Sequence, residues 1–397
     1  MKRVVICCDG TWKTSTDANV SNIEKIARAI RTTTEDGTVQ LVHYCSGVGT
    51  GATLTDRIIG GAFGAGLDQN IIDAYRFIAL NYEVGDEIYV FGFSRGAYTA
   101  RSLVGMIAKV GLLTADGLAC SPRPDVNLLD VAFDRYRRAS RKHQPLGDTD
   151  QYPDIDLRDY TYKKTPITFV GVFDTVGALG APGITRRNYR FLDVNLSDSV
   201  EVARQALAID ERRLTFAPCV WTRGTNNRTD LQQVWFEGVH SDIGGGFGRT
   251  QPAELTLAWM VSEAGRRGLQ FHPDRLPMSR PPLLDACYDP HTSVKWPYRV
   301  INALKLAAGY LRGPGTTVVR HRRERRLLEV VDDAARPLLI AEHAYRRWQE
   351  LPERQRYAKN IRWWVNLIGD EELPGRLLAV PTLDDVHPPT RPETANR

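Results

Sequence analysis

The seven residues Glu87-Ile88-Tyr89-Val90-Phe91-Gly92-Phe93 run directly into Ser94-Arg95-Gly96 and then into the apolar-patterned stretch Ala97 to Leu113. A β-branched and aromatic run of that length reads as a buried strand, and the stretch after it reads as a helix. The pentapeptide between them, Gly92-Phe93-Ser94-Arg95-Gly96, has the form G-x-S-x-G. A serine on so sharp a strand-to-helix turn is exposed at the carboxyl edge of a sheet, and its neighbours' backbones come so close that side chains two residues either side would clash. The junction therefore reads as a strand, a serine-bearing turn and a helix.

The rest of the chain repeats the alternation. Arg3 to Cys8 is a short apolar run ended by Asp9-Gly10-Thr11, Asn22 to Arg31 carries Ile23, Ile26, Ala27 and Ile30 at helical spacing, and Val39 to Tyr44 is apolar again. Strand, helix, strand predicts βαβ units and hence an α/β fold with a mostly parallel central sheet and helices on both faces. Ile167 to Phe173 and Gln233 to Gly238 read as further strands, and Ser199 to Arg213 and Glu254 to Gly268 as helices. A glycine-rich stretch from Gly47 to Gly66 precedes Asp68, a candidate N-cap for the amphipathic run Ile71, Ile72, Tyr75, Ile78, Ala79. Lacking a P-loop lysine or dinucleotide spacing after a strand, these glycines read as a mobile loop or close helix packing. Residues 114–165 are polar and proline-punctuated around one helical piece near Val131 to Ala139, which suits a cap-like insertion or a surface excursion. Beyond Gln270 the periodicity weakens, so a catalytic core is expected at 1–270 and a C-terminal extension at 271–397.

Composition sets limits on the partners. The 397 residues are 42% apolar, enough for a sizeable core, and the net charge of +5 is too small for a nucleic-acid footprint. Six scattered cysteines with no Cys-x-x-Cys argue against both a disulfide framework and a zinc site, and suit a reducing compartment. The apolar run after Lys2-Arg3 is too short for a secretory signal, and there is no stretch of eighteen apolar residues, so a cytoplasmic protein without a membrane span is expected; export by a signal-independent route stays open. Oligomeric state is not readable.

A serine hydroxyl is a poor nucleophile until a base takes its proton, so Ser94 requires a histidine and an acid to orient it, in the chain order Ser, Asp, His. Asp174 stands at the carboxyl end of the strand Ile167 to Phe173; its other reading is a turn cap. His240 follows a late strand and precedes Gly244-Gly245-Gly246, glycines that would let a loop carry the imidazole over the serine. For an oxyanion hole the N–H of Arg95 and one from Gly10 or Thr11 are best placed. Asp9 is at odds with a nearby oxyanion unless it turns away to cap its loop, hold a water or bind a cation. No cofactor is required by this scheme, and a divalent cation held by Asp9 and Asp242 is the alternative use of those carboxylates. A phosphatase of the haloacid dehalogenase type fails because Cys7 stands where its nucleophilic aspartate belongs.

Four blocks in order, Cys8-Asp9-Gly10-Thr11-Trp12, Gly92-Phe93-Ser94-Arg95-Gly96-Ala97-Tyr98-Thr99-Ala100-Arg101, Val172-Phe173-Asp174-Thr175-Val176 and His240-Ser241-Asp242-Ile243-Gly244-Gly245-Gly246, resemble the signatures of the type VI secretion lipase effector-like α/β-hydrolases. The resemblance covers roughly residues 1–270. It implies an α/β-hydrolase-like fold, the family's Ser, Asp and His at Ser94, Asp174 and His240, and ester hydrolysis with phospholipid as the substrate of the assigned members, which are used against competing bacteria. This chain is compact beside those effectors and has no evident large membrane-targeting region. A serine hydrolase of carboxylic esters, including lipid acyl esters, is therefore expected; a short-chain esterase, or a binding or scaffold protein retaining the fold, are the alternatives. The basic cluster Arg320, Arg322, Arg323, Arg325, Arg326 and the pair Trp363-Trp364 mark a candidate peripheral contact with an anionic membrane surface.

Overall fold

In the computed structural model the described residues are 1–10, 19–47, 61–120, 122–140, 150–176, 196–213, 216, 218–221, 228–248, 250–276, 291, 299, 302–303 and 339–380. They contain an eight-stranded sheet of order β2-β1-β3-β4-β5-β6-β7-β8: β1 Lys2–Cys8, β2 Val39–Cys45, β3 Glu87–Phe93, β4 Ile167–Phe173, β5 Val200–Ala208, β6 Asp230–Phe236, β7 Leu339–Ala341 and β8 Leu377–Leu378. Every pair is parallel, so all carboxyl ends lie along one edge. The strand order reverses between β1 and β3, and open α/β sheets bind ligands in the crevice outside the carboxyl ends at such a point. Ser94 and the Asp9–Gly10 loop follow directly on those two strands.

Strand residues alternate between two apolar layers. Val4, Ile6, Ile88, Val90, Val170 and Val172 meet α2 (Gly61–Asn81), α3 (Arg95–Val110) and α5 (Leu128–Ser140) on one face. Val5, Cys7, Tyr89, Phe91, Phe169 and Phe173 meet α1 (Asn22–Ala29) and α7 (Gln251–Arg266) on the other. Both faces of β1, β3 and β4 are thus covered, which is why these strands read as continuous apolar runs. The described part of 114–165 includes α4 (Ala115–Ala119) and α5, and it places Leu128, Leu129, Val131, Ile155 and Leu157 in the layer with α2 and α3.

Two expectations are corrected. The segment Ser199 to Arg213 holds strand β5 over Val200–Ala208 rather than a helix, because its position between β4 and β6 outweighs the helix preference of its alanines, Arg204 and Gln205. Arg204 lies buried in the sheet, where its guanidinium meets Glu263 at 2.6 Å and Asp230 at 2.6 Å. Asp68 is no N-cap: α2 begins at Gly61, and Asp68 lies inside it with its carboxylate 3.7 Å from Arg137. The other elements of the sequence reading fall where expected to within a few residues.

Residues 339–378 join the sheet rather than standing off it. β7 pairs with β6, and the helices Glu342–Glu350, Pro352–Tyr357 and Lys359–Ile368 follow. Trp364 is fully buried with Trp235, Leu207, Ile340 and Ile361, so it is unavailable as an interfacial aromatic; Arg320 to Arg326 and the Trp363 side chain lie outside the described residues. No helix among the described residues is long and apolar enough to cross a membrane.

Candidate active site

At the turn after β3, Ser94 adopts φ 57° and ψ −117°, left-handed for an L-residue, and α3 begins at the next residue. The flanking glycines make the turn possible. A Cβ on Gly92 would lie 2.6 Å from Ala97 Cα, and one on Gly96 would overlap the Cys8 carbonyl. The hydroxyl of Ser94 is therefore held at the N-terminus of a sixteen-residue helix, where partial positive charge favours an anion.

His240 Nε2 lies 2.8 Å from Ser94 Oγ, and His240 Nδ1 lies 2.7 Å from Asp174 Oδ2. The second carboxylate oxygen, Asp174 Oδ1, accepts from the Ala208 N–H at 3.1 Å. Three side chains far apart in sequence, from the ends of β3 and β4 and the first residue of α6 (His240–Gly244), thus form one hydrogen-bonded chain. Asp174 is 0% exposed, His240 4% and Ser94 7%, so the chain is shielded from water apart from its serine end. With Nδ1–H donated to Asp174, Nε2 is left to accept the serine proton.

Burial pushes the His240 pKa below its ordinary 6.5; the hydrogen bond and charge of Asp174 and the charge of Glu211 oppose this, while Arg213 adds to it. The ring is packed as well as bonded: Phe93 lies 4.7 Å away on one side and Phe216 4.9 Å away, edge-on. Arg213 stacks its guanidinium 3.5 Å above Phe216 and is held by Glu211, whose carboxylate also accepts the His240 N–H at 3.3 Å. Glu211, Arg213 and Phe216 were not singled out in the sequence, since they follow a strand that reads as a helix. The glycines after His240 pack tightly instead of hinging, with a Cβ on Gly244 overlapping the Phe93 ring.

The remaining predicted residues divide. Arg95 opens α3 beside Ser94, and a Cβ on Gly10 would lie 3.4 Å from Ser94 Cβ, so both backbones adjoin the serine. The Gly10 N–H, however, donates to Asp9 Oδ1 at 2.6 Å, so in this structure it is turned away from any bound oxyanion; Thr11 lies outside the described residues. Asp9 caps its own loop: Oδ2 accepts from Ser21 Oγ at 2.5 Å and Tyr44 Oη at 2.7 Å. Asp242 caps α6 through the Val239 N–H at 3.0 Å and takes His291 Nδ1 at 2.7 Å. Among the described residues Asp9 and Asp242 bond to different partners, and no group of three or more His, Cys, Asp or Glu side chains suited to a metal gathers there.

Residues 2–263 match the family described as T6SS, phospholipase effector Tle1-like, catalytic domain. The chain belongs to this family. The Tle1-like match covers every residue of the Ser94–His240–Asp174 chain. An uncharacterized protein of Saccharomyces cerevisiae, YEL023C, is 31% identical over 240 residues, which is 56% of this chain and 33% of the yeast protein; the chain thus spans about a third of that relative's length. Among solved structures, an uncharacterized protein from Pseudomonas aeruginosa is similar at 17% identity and TM-score 0.42, over 97% of this chain and 65% of that one. The Tle1 effector bound to the VgrG spike of the type 6 secretion system is similar at 19% identity and TM-score 0.35, over 62% of this chain and 51% of that one.

Proposed function

We propose that this Tle1-like domain is a serine hydrolase that cleaves carboxylic esters of lipids, phospholipid acyl esters first among them. The observation that carries the reading is the buried hydrogen-bonded chain from Asp174 through His240 to Ser94, with the serine at a helix N-terminus. Membership in a phospholipase effector family supports the lipid ester over a small soluble one.

In this reading His240 Nε2 takes the Ser94 hydroxyl proton as Oγ bonds to the ester carbonyl carbon. The carbonyl π electrons move to its oxygen, and the Arg95 N–H at the start of α3 faces that charge. His240 then passes the proton to the departing alcohol as the carbon–oxygen bond breaks, leaving an acyl-serine. A water, deprotonated by the same nitrogen, adds to the acyl carbon, and the proton returns to Ser94 as the free acid leaves. Asp174 stays ionised throughout and stabilises the imidazolium formed in each half.

The test is labelling of wild type and Ser94→Ala by a fluorophosphonate, beside hydrolysis of p-nitrophenyl esters of increasing chain length and of phosphatidylglycerol vesicles. Labelling lost in Ser94→Ala, with turnover rising for long chains or vesicles, supports the proposal. Turnover confined to short esters makes it a soluble esterase. A folded wild type that neither labels nor hydrolyses overturns the catalytic reading in favour of a binding role.

A further inference from the structure

Two arginines from the C-terminal helices reach into the turn that carries His240. Arg347, in the helix Glu342–Glu350, places Nε 2.8 Å from Glu237 Oε2. Arg354, in the helix Pro352–Tyr357, forms ion pairs with Glu237 at 2.6 Å and Asp210 at 2.9 Å. All four side chains are buried, and their charges sum to zero. Glu237 is the first residue after β6, and Asp210 is the second after β5.

The bonds continue from these carboxylates into the backbone. Asp210 Oδ2, the oxygen bonded to Arg354, also accepts the Gly238 N–H at 2.8 Å, and the Asp210 N–H donates to the Gly238 carbonyl at 2.9 Å. Two residues later the His240 N–H goes to Glu211, the neighbour of Asp210. Asn360, at the start of the last helix, donates to the Ile209 carbonyl at 3.0 Å. Residues 237–240 and 209–211 are thereby zipped together, with the arginines fastened behind them. A buried charge network is no more stabilising than apolar packing of the same volume. What it adds over apolar packing here is direction, because the hydrogen bonds from Arg347 to Glu237, and from Arg354 and the Gly238 N–H to Asp210, each fix one atom at the turn.

We propose that Arg354, seconded by Arg347, is a positioning residue: through Asp210 and Glu237 it sets the 237–240 turn so that the His240 imidazole meets Ser94 and Asp174 at bonding distance. The inference rests on reading His240 as the base. It gives residues 339–378 a part in the reaction that does not involve touching substrate. Because a misplacement of about 1 Å costs on the order of 100-fold in rate, small motions of this turn matter.

The test uses the full chain with Arg354→Met, Arg354→Lys and Asp210→Asn, and with Trp364→Ala as a control that loosens the same helices without touching the charges. Each is measured for folding by circular dichroism, for kcat and KM on a p-nitrophenyl ester, and for the ¹⁵N imidazole shifts of His240, assigned with His240→Asn. The expectation for Arg354→Met is a kcat lower by on the order of 10–100-fold with KM within about twofold, a moved His240 signal, and partial recovery in Arg354→Lys. Should Arg354→Met fail to fold, Asp210→Asn, which keeps shape and loses the charge, is expected to show the same kcat fall and signal shift. An unchanged kcat and His240 signal in the folded charge variants, or the same changes in Trp364→Ala, overturns the proposal. A wild type inert to ester and fluorophosphonate would instead mark failure of the catalytic reading, and the His240 shifts would still decide whether the arginines position the ring.

Discussion

Ser94 and Asp174 follow directly on Phe93 and Phe173, a paired couple on the adjacent strands β3 and β4, and they are the two non-glycine residues with positive φ among those described, at 57° and 37°. Both strained residues belong to the same hydrogen-bonded chain. Such conformations cost on the order of 1–3 kcal/mol each and persist where surrounding structure over-determines them. Here the Ser94 N–H is held by the Phe173 carbonyl at 3.1 Å and the Asp174 N–H by the Ala206 carbonyl at 2.7 Å. The sheet therefore presses each residue against its own preference, at the point where the two side chains must converge on His240.

Replacing Ser94 separates strain from chemistry. Ser94→Ala and Ser94→Gly both remove the proposed nucleophile and are expected to lose fluorophosphonate labelling entirely. Alanine keeps a Cβ in a left-handed turn, whereas glycine adopts positive φ freely. Ser94→Gly should therefore be the more stable of the two by about 1 kcal/mol, read as a higher midpoint in urea. Equal midpoints would show that the strain stored at the φ of 57° is no larger than the extra conformational entropy glycine loses on folding.

Asp174→Asn tests whether the acid orients the imidazole. An amide of the same shape offers an N–H to Nδ1 and favours the tautomer that carries its proton on Nε2, the nitrogen that must accept from Ser94. The expected outcome is a kcat lower by on the order of 10³–10⁴-fold with KM little changed. A loss below about tenfold would mean that Asp174 acts as a turn cap, the plainer role that its position after β4 also allows.

How legible all this was depends on whether a residue's surroundings are local. The strands β1, β3 and β4 announce themselves because both faces are covered and nearly every side chain is apolar. Ser94 is readable because its constraint, two flanking glycines, lies within two residues. β5 is not, since what makes Arg204 and Gln205 acceptable inside a sheet is supplied by Glu263, Asp230 and the Cys219 carbonyl, all distant in sequence. For the same reason Arg347 and Arg354 look like ordinary arginines of polar helices until the fold brings them to Glu237 and Asp210. Asp9 could be flagged as out of place beside an oxyanion, but its partners Ser21 and Tyr44 come from α1's N-cap and β2.

The lowered His240 pKa predicts an acid limit on turnover. Burial, its first cause, disfavours the imidazolium, and in the proposed reaction only the neutral ring accepts the serine proton. kcat/KM should therefore be flat near neutrality and fall as pH drops, with a midpoint below 6.5. A midpoint at or above neutrality would show that the Asp174 charge outweighs burial and that the site is wetter than its packing implies.

A second buried histidine predicts how stability, rather than turnover, responds to acid. His343 lies behind β6 against Phe236, and burial, with the charge of Arg347 added, brings its pKa down to about 3. Its folded pKa lies below the unfolded value of 6.5, so between those two values the unfolded chain binds more protons. Stability from this group is complete above pH 6.5 and is lost as pH falls towards 3, by up to about 1.4 kcal/mol per pH unit. Between pH 7 and pH 5 the wild type should lose about 2 kcal/mol that His343→Phe, which sets a non-titrating ring beside Phe236, does not lose. Urea midpoints for both proteins at the two values check this. The same decline in both would assign the acid sensitivity to groups other than His343.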